Sequence, residues 1–117
     1  TARDLSVSQA RLGDFYLRRS GEGDADTALG YYLAALETRE DLYRRNPDCA
    51  RTAHDLATSF IKVLRLAKKQ GNEKRQHYYE QRLHALLSKM LRNGLKLDAS
   101  KQNAYQELER RFPSARS

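Results

Sequence analysis

The chain has 117 residues, 39% hydrophobic and 32% charged, with seven Tyr, three Phe and no Trp. That balance suits one helical domain with a modest core; it excludes a disordered polymer, and no apolar run approaches the ~20 residues needed to cross a bilayer. The formal charge of +7 is uneven, with 7 Lys and Arg against 9 Asp and Glu in residues 1–50 and 15 against 6 in residues 51–117, so the second half is the part that would collect anions.

The first helix is expected from about Asp4 to Arg19, with Leu5, Ser8, Leu12, Phe15 and Tyr16 returning every three or four residues as a buried stripe. Ser20-Gly-Glu-Gly-Asp24 breaks it, and Asp24 or Asp26 is placed to accept the free amides of the next helix. The second helix, about Ala25 to Arg45, carries Ala28, Leu29, Tyr32, Ala35, Leu36 and Tyr43 on one side and Glu40-Asp41 outside beside Arg39, Arg44 and Arg45. Asn46-Pro47-Asp48 closes it, because proline disfavours a helical residue before it and has no amide to donate.

The third helix starts at Cys49 or Thr52 and runs to about Gln70. Its opening Thr52-Ala-His-Asp-Leu-Ala-Thr-Ser59 repeats Thr1-Ala-Arg-Asp-Leu-Ser-Val-Ser8 51 residues later, with five of eight positions identical. A fixed internal period marks stacked supersecondary units. Leu56, Ser59, Val63, Leu66 and Ala67 restate the first stripe, and Thr52-x-x-Asp55 has the form of a capping box. Gly71-Asn72 is the matching break, read as about four residues shorter than the first. The fourth helix, about Glu73 to Arg92, packs through Tyr79, Leu83, Leu86, Leu87 and Met90, and its Tyr78-Tyr79 is read as the recurrence of Tyr31-Tyr32. After Asn93-Gly94, a last helix from Asp98 or Ser100 to Phe112 turns Ala104, Tyr105, Leu108 and Phe112 to one face. Gly13 and Gly30 stand mid-helix, where glycine costs about 1 kcal/mol against alanine, so close helix packing is expected to offset both.

Leu12-Gly13-x-x-Tyr16, then Ala28-x-x-x-Tyr32-x-x-Ala35 and Pro47, resembles the tetratricopeptide repeat. The first copy is similar to the long-period variety of bacterial multidomain signalling proteins, through Arg3-Asp-Leu-Ser-Val-Ser8, Leu12-Gly-Asp14, Gly23-Asp24, Ala28-Leu-Gly-Tyr-Tyr32 and Arg39-Glu-Asp-Leu42. In the second copy Val63-Leu64 and Ala67 replace Leu12-Gly13 and Tyr16, so its two helices are expected to lie less close. The resemblance implies an all-α chain: a right-handed α-α superhelix of two helical hairpins, repeat one over 1–50 and repeat two over 51–97, with a capping helix over 98–112. It further implies a fragment of a larger protein, working as an interaction or regulatory module whose first helices line a concave groove, for a peptide, a neighbouring domain or an effector domain of its own chain.

The residues expected to face that groove include Val7, Ala10, Asp14, Leu17 and Arg18, then Thr58, Ile61, Arg65, Lys68 and Lys69, then Asn103, Gln106 and Arg110. From these, with Lys62, a ligand-binding set of Asp14, Arg18, Lys62, Arg65, Lys69, Asn103 and Arg110 is expected, its basic end receiving an acidic peptide or a C-terminal carboxylate through charge-assisted bonds. The family's carboxylate clamp is not matched, because Ala10 and Asp14 stand where it uses Lys and Asn. The alternative is a basic helical module binding nucleic acid non-specifically, although no helix-turn-helix, zinc or stacking motif accompanies the charge.

No catalytic, metal or cofactor site is expected: the chain has no Gly-rich phosphate loop, and His77 and His84, seven apart on one helix, could share a face but not a metal without further ligands. The lone Cys49 cannot close an internal disulfide and reads as a small filler at a helix start; with no signal peptide visible, the chain is expected to be cytoplasmic. Without a preceding repeat, the flank bearing Leu5, Leu12 and Phe15 is expected to favour self-association.

Overall fold

The computed structural model describes residues 1–113. Among them five helices and no strand occur: α1 (Ala2–Arg19), α2 (Asp24–Arg45), α3 (Ala50–Lys69), α4 (Glu73–Arg92) and α5 (Ala99–Arg111). Each helix packs on the next, and α5 also touches α3. The body measures 49 × 34 × 22 Å, and its least dimension is about two helix diameters. Two layers of helices therefore share one core, with α3 at its centre. Leu56, Phe60, Val63 and Leu66 of α3 meet Tyr32 and Leu36 of α2 and Leu83, Leu87 and Met90 of α4 in that core, all of them buried.

The helix ends follow local chemistry, with two departures from expectation. Asp24 does not cap α2; it is the first helical residue, behind a Gly23 N-cap that has no side chain to offer. Its carboxylate turns back instead to accept from the Gly21 amide and from both Nε and Nη2 of Arg19, at 2.8 Å each. Nor does Thr52 open a capping box. Helix α3 begins at Ala50 behind Cys49, and the Thr52 hydroxyl donates to the carbonyls of Asn46 and Cys49. The box forms in the first copy, between Thr1 and Asp4. Gly94 ends α4 at φ 79°, a left-handed conformation that lets the Leu95 amide reach the Met90 carbonyl.

The stripe expected to be buried on α1 is the wrong one. Helix α1 meets α2 through the small residues Ser6, Ala10 and Gly13, and leaves Leu5, Leu12 and Phe15 at 53%, 41% and 48% exposure. The reason is steric: small residues let α2 come close. A Cβ on Gly13 would stand 2.5 Å from the Tyr32 ring and 3.2 Å from the Ala28 carbonyl. Ala10 is thus under α2 and does not face a groove. Gly30 has no such reason, since nothing lies within 4 Å of the place its Cβ would take.

The internal repeat holds in burial as well as in letters. Moving the buried residues of α1 and α2 by 51 positions lands on buried residues of α3 and α4 at all but two, Arg75 and Tyr79, which are half-buried. The two Tyr-Tyr pairs lie one helical turn out of this register: Tyr32 is buried, Tyr78 is exposed, and the position equivalent to Tyr32 is Leu83. The two breaks consequently differ by about one residue in helix bounds, not four. Arg39, expected on the exterior, is 6% exposed and donates to Ser6 Oγ, to Ser59 Oγ at 2.8 Å and to the Asp55 carbonyl. One guanidinium therefore ties α1, α2 and α3 together. Its equivalent in the second copy is Met90, and the equivalent of Ser6 is Ala57, both buried. A polar pair has been replaced by an apolar pair, so neither copy leaves a lone buried partner.

Candidate interaction surface

Helix α3 has ten buried residues, and most of the remainder fall on one stripe: Arg51, His54, Thr58, Lys62, Arg65 and Lys69. Their spacing of three or four residues brings them to one side of the helix. Ion pairs join this helix to its neighbours. Arg3 of α1 donates to Asp55 at 2.9 Å, Lys62 reaches Asp14 of α1 at 2.8 Å, and Lys68 stands 3.9 Å from Glu107 of α5. Asp14 also accepts from the Tyr32 hydroxyl, and the Lys62 ammonium lies 5.6 Å from the Tyr32 ring centre. Burial alone would raise the Asp14 pKa, but the bonds from Lys62 and Tyr32 outweigh it and hold the carboxyl below its usual range. Burial, reinforced by Asp14, pushes the Tyr32 hydroxyl upward.

The expected ligand set is thereby divided. Asp14 and Lys62 answer each other. Arg18 is exposed near Asp14, whose charge it helps to stabilise. Arg65 and Asn103 line a shared cavity between α3, α4 and α5, while Lys69 lies by the helix breaks in a hollow with Leu17, Ser20 and Gln70. Arg110 is exposed on α5. Arg51, Arg65, Lys69 and Arg110 take no ion-pair partner among the described residues. Comparison with protein-family models, with curated proteins and with solved structures finds no match to this chain.

The other layer carries a different surface. A cleft of about 390 Å³ between α2 and α4 is floored by Leu56 and Phe60 of α3. Arg82 bonds to Glu40 across it at 2.6 Å and lies 5.5 Å from the Phe60 ring centre, and Lys89 stands 5.5 Å from that of Tyr43. Glu40, Arg82 and Arg44 are paired within the fold there, while Lys89 has the Tyr43 ring and no ion-pair partner among the described residues. His77 and His84 do share a face, with both rings against Phe112 at 5.6 and 6.2 Å; His84 also stacks on Tyr105 and meets Glu109 at 3.2 Å. They help to seat α5. Cys49 caps α3, where the Thr52 amide holds its thiol below the ordinary value. Among the described residues no group of three His, Cys, Asp or Glu could hold a metal, and no helix is long and apolar enough to cross a membrane.

Sequence reasoning missed Arg39 and Glu80, charged side chains buried in the middle of α2 and α4. The spacing could have found them. Arg39 follows Tyr32, Ala35 and Leu36 on the same stripe, and Glu80 precedes Leu83 and Leu87.

Proposed function

We propose that the chain is a right-handed helical repeat module of the tetratricopeptide type that binds an acidic segment of a partner protein, or of a neighbouring domain, along the open stripe of α3. One observation carries this reading: Arg51, Arg65 and Lys69 line that stripe with no carboxylate to answer them, while the acids of α1 and α5 nearest to α3 are already paired. Idle guanidinium groups favour carboxylates, which they bind through two parallel bonds.

Fluorescence anisotropy of a labelled Glu- and Asp-rich peptide tests it. Arg65→Glu is expected to lower affinity at least tenfold with an unchanged melting curve, because the residue is exposed. Undiminished binding by that variant would move the site elsewhere. A mixed-sequence DNA duplex is the control. Duplex binding equal to peptide binding at physiological salt would favour phosphate recognition instead.

A further inference from the structure

Glu80 is the most deeply buried acid among the described residues, at 1% exposure. Its Oε2 accepts from Arg111 Nη1 at 2.6 Å, whereas Oε1 is buried with no hydrogen-bond partner. A carboxylate withdrawn from water is destabilising unless each oxygen is answered, so an idle one asks for a donor. Glu80 borders two cavities. One is lined also by Glu73, Gln76, His77 and Arg111, the partner of Oε2. The other, about 150 Å³, lies between α3, α4 and α5, with apolar walls of Ile61, Leu64, Leu83, Ala104 and Leu108. Arg65, Lys68, Ser100, Asn103 and Glu107 complete its lining.

We infer that this second cavity binds a basic amino acid of lysine size, either free or as the C-terminal residue of a peptide. The side-chain ammonium donates to Glu80 Oε1, the methylene stem lies on Leu83 and Leu108, and the carboxylate meets Arg65 and Lys68. Both charges are needed. A plain alkylamine would leave Arg65 without a carboxylate at the cavity and be repelled by both cations, of which Lys68 already stands 3.9 Å from Glu107. A plain aliphatic carboxylate would leave Glu80 idle. A cavity of this volume holds a body about the size of benzene, which matches a four-carbon stem and its head group. The inference shares Arg65 with the proposed acidic-segment reading but does not rest on it.

The test is titration of the isotope-labelled chain with L-lysine and with the tripeptide Gly-Gly-Lys, read by NMR at Leu83, Ala104 and Leu108. Norleucine, which lacks only the side-chain ammonium, and n-butylammonium, which lacks the carboxylate, are the controls. Saturable shifts are expected with lysine, with the tripeptide or with both, and which of them binds separates the free from the C-terminal source. Each control is expected to bind at least tenfold more weakly. Glu80→Gln and Ala104→Phe, which fills the cavity, are expected to abolish the shifts; Gln76→Ala in the adjoining cavity should not. Arg65→Met, on the exposed side, supplies a variant that keeps its fold if Glu80→Gln does not. Three results would overturn the inference: no saturable shift at millimolar lysine or tripeptide, which means that Oε1 holds only water; equal binding of norleucine; or undiminished binding by Arg65→Met together with Ala104→Phe. Arg51→Glu separates the two proposals, because it should weaken the acidic peptide and leave lysine binding unchanged.

Discussion

A Cβ added to Gly13 would collide with the Tyr32 ring, while one added to Gly30 would meet nothing. Alanine is therefore expected to act with opposite sign at the two positions. Gly13→Ala gains helix propensity of about 1 kcal/mol but must move a buried tyrosine, and overpacking of that kind costs about 1–3 kcal/mol, so a net loss is expected. Gly30→Ala keeps the gain, about 0.5–1 kcal/mol. Urea melts of both variants decide it; equal shifts would contradict the close approach of α1 and α2. Arg39 and Ser6 form the second test. Ser6→Ala alone takes an acceptor from a buried guanidinium and is expected to cost about 1–3 kcal/mol. Arg39→Met removes the charge together with its need, and in that background Ser6→Ala is expected to cost almost nothing. A double-mutant cycle with no coupling would show that the two groups do not depend on each other.

Helices α3 and α5 stand at opposite ends of the stability range. Helix α3 buries ten residues, whereas α5 buries Leu108 and the Lys101 side chain and is otherwise held by half-buried aromatics and the Arg111–Glu80 bond. Amide exchange in α5 is expected to be faster than in the middle of α3 by orders of magnitude, through local opening that spares the rest. Equal protection would mean that the five helices unfold as one unit. The elements themselves were legible in the sequence, because proline, paired glycines and a recurring apolar stripe place boundaries to within a turn. The face of α1 was not. Leu5, Leu12 and Phe15 have helical spacing and high hydrophobicity, but the seam that α2 chooses is made of Ser6, Ala10 and Gly13, which have the same spacing and carry almost no hydrophobic signal. Small residues permit approach and large ones announce burial, and pattern reading sees only the second. The stripe of α3 was legible for the complementary reason: once Leu56, Val63 and Leu66 are placed inside, Arg65 and Lys69 have to lie outside. Pairing of Lys62 with Asp14 depends on the distance between two helices, which no spacing within one helix encodes.

On the scale of the whole molecule, the uncovered flank of α1 matters most. Leu5, Leu12 and Phe15 correspond, at the 51-residue shift, to Leu56, Val63 and Leu66, which are 4%, 0% and 2% exposed. The same positions are thus core in one copy and solvent-facing in the other, and apolar side chains gathered on one exposed flank favour association. Sedimentation is expected to show dimers growing with concentration, and Leu12→Lys is expected to return the chain to monomer without lowering its melting temperature. A concentration-independent monomer would contradict this. The ion pairs that join α1 to α3 and α3 to α5 are partly exposed, so they add little to stability; their role is to fix how neighbouring hairpins lean on each other.

The Arg39–Ser6 clamp and its apolar counterpart, Met90 with Ala57, also constrain the history of the duplication. Whichever version came first, two substitutions separate them, and the intermediates are unequal. A chain with Met facing Ser keeps its hydroxyl content, since Ser6 donates to the Arg3 carbonyl of its own helix. A chain with Arg facing Ala would leave the buried Nε of Arg39 without its acceptor, while Nη1 keeps Ser59 and the Asp55 carbonyl. The viable route between the two hairpins therefore passes through the Met–Ser form, with arginine the first to leave or the last to arrive.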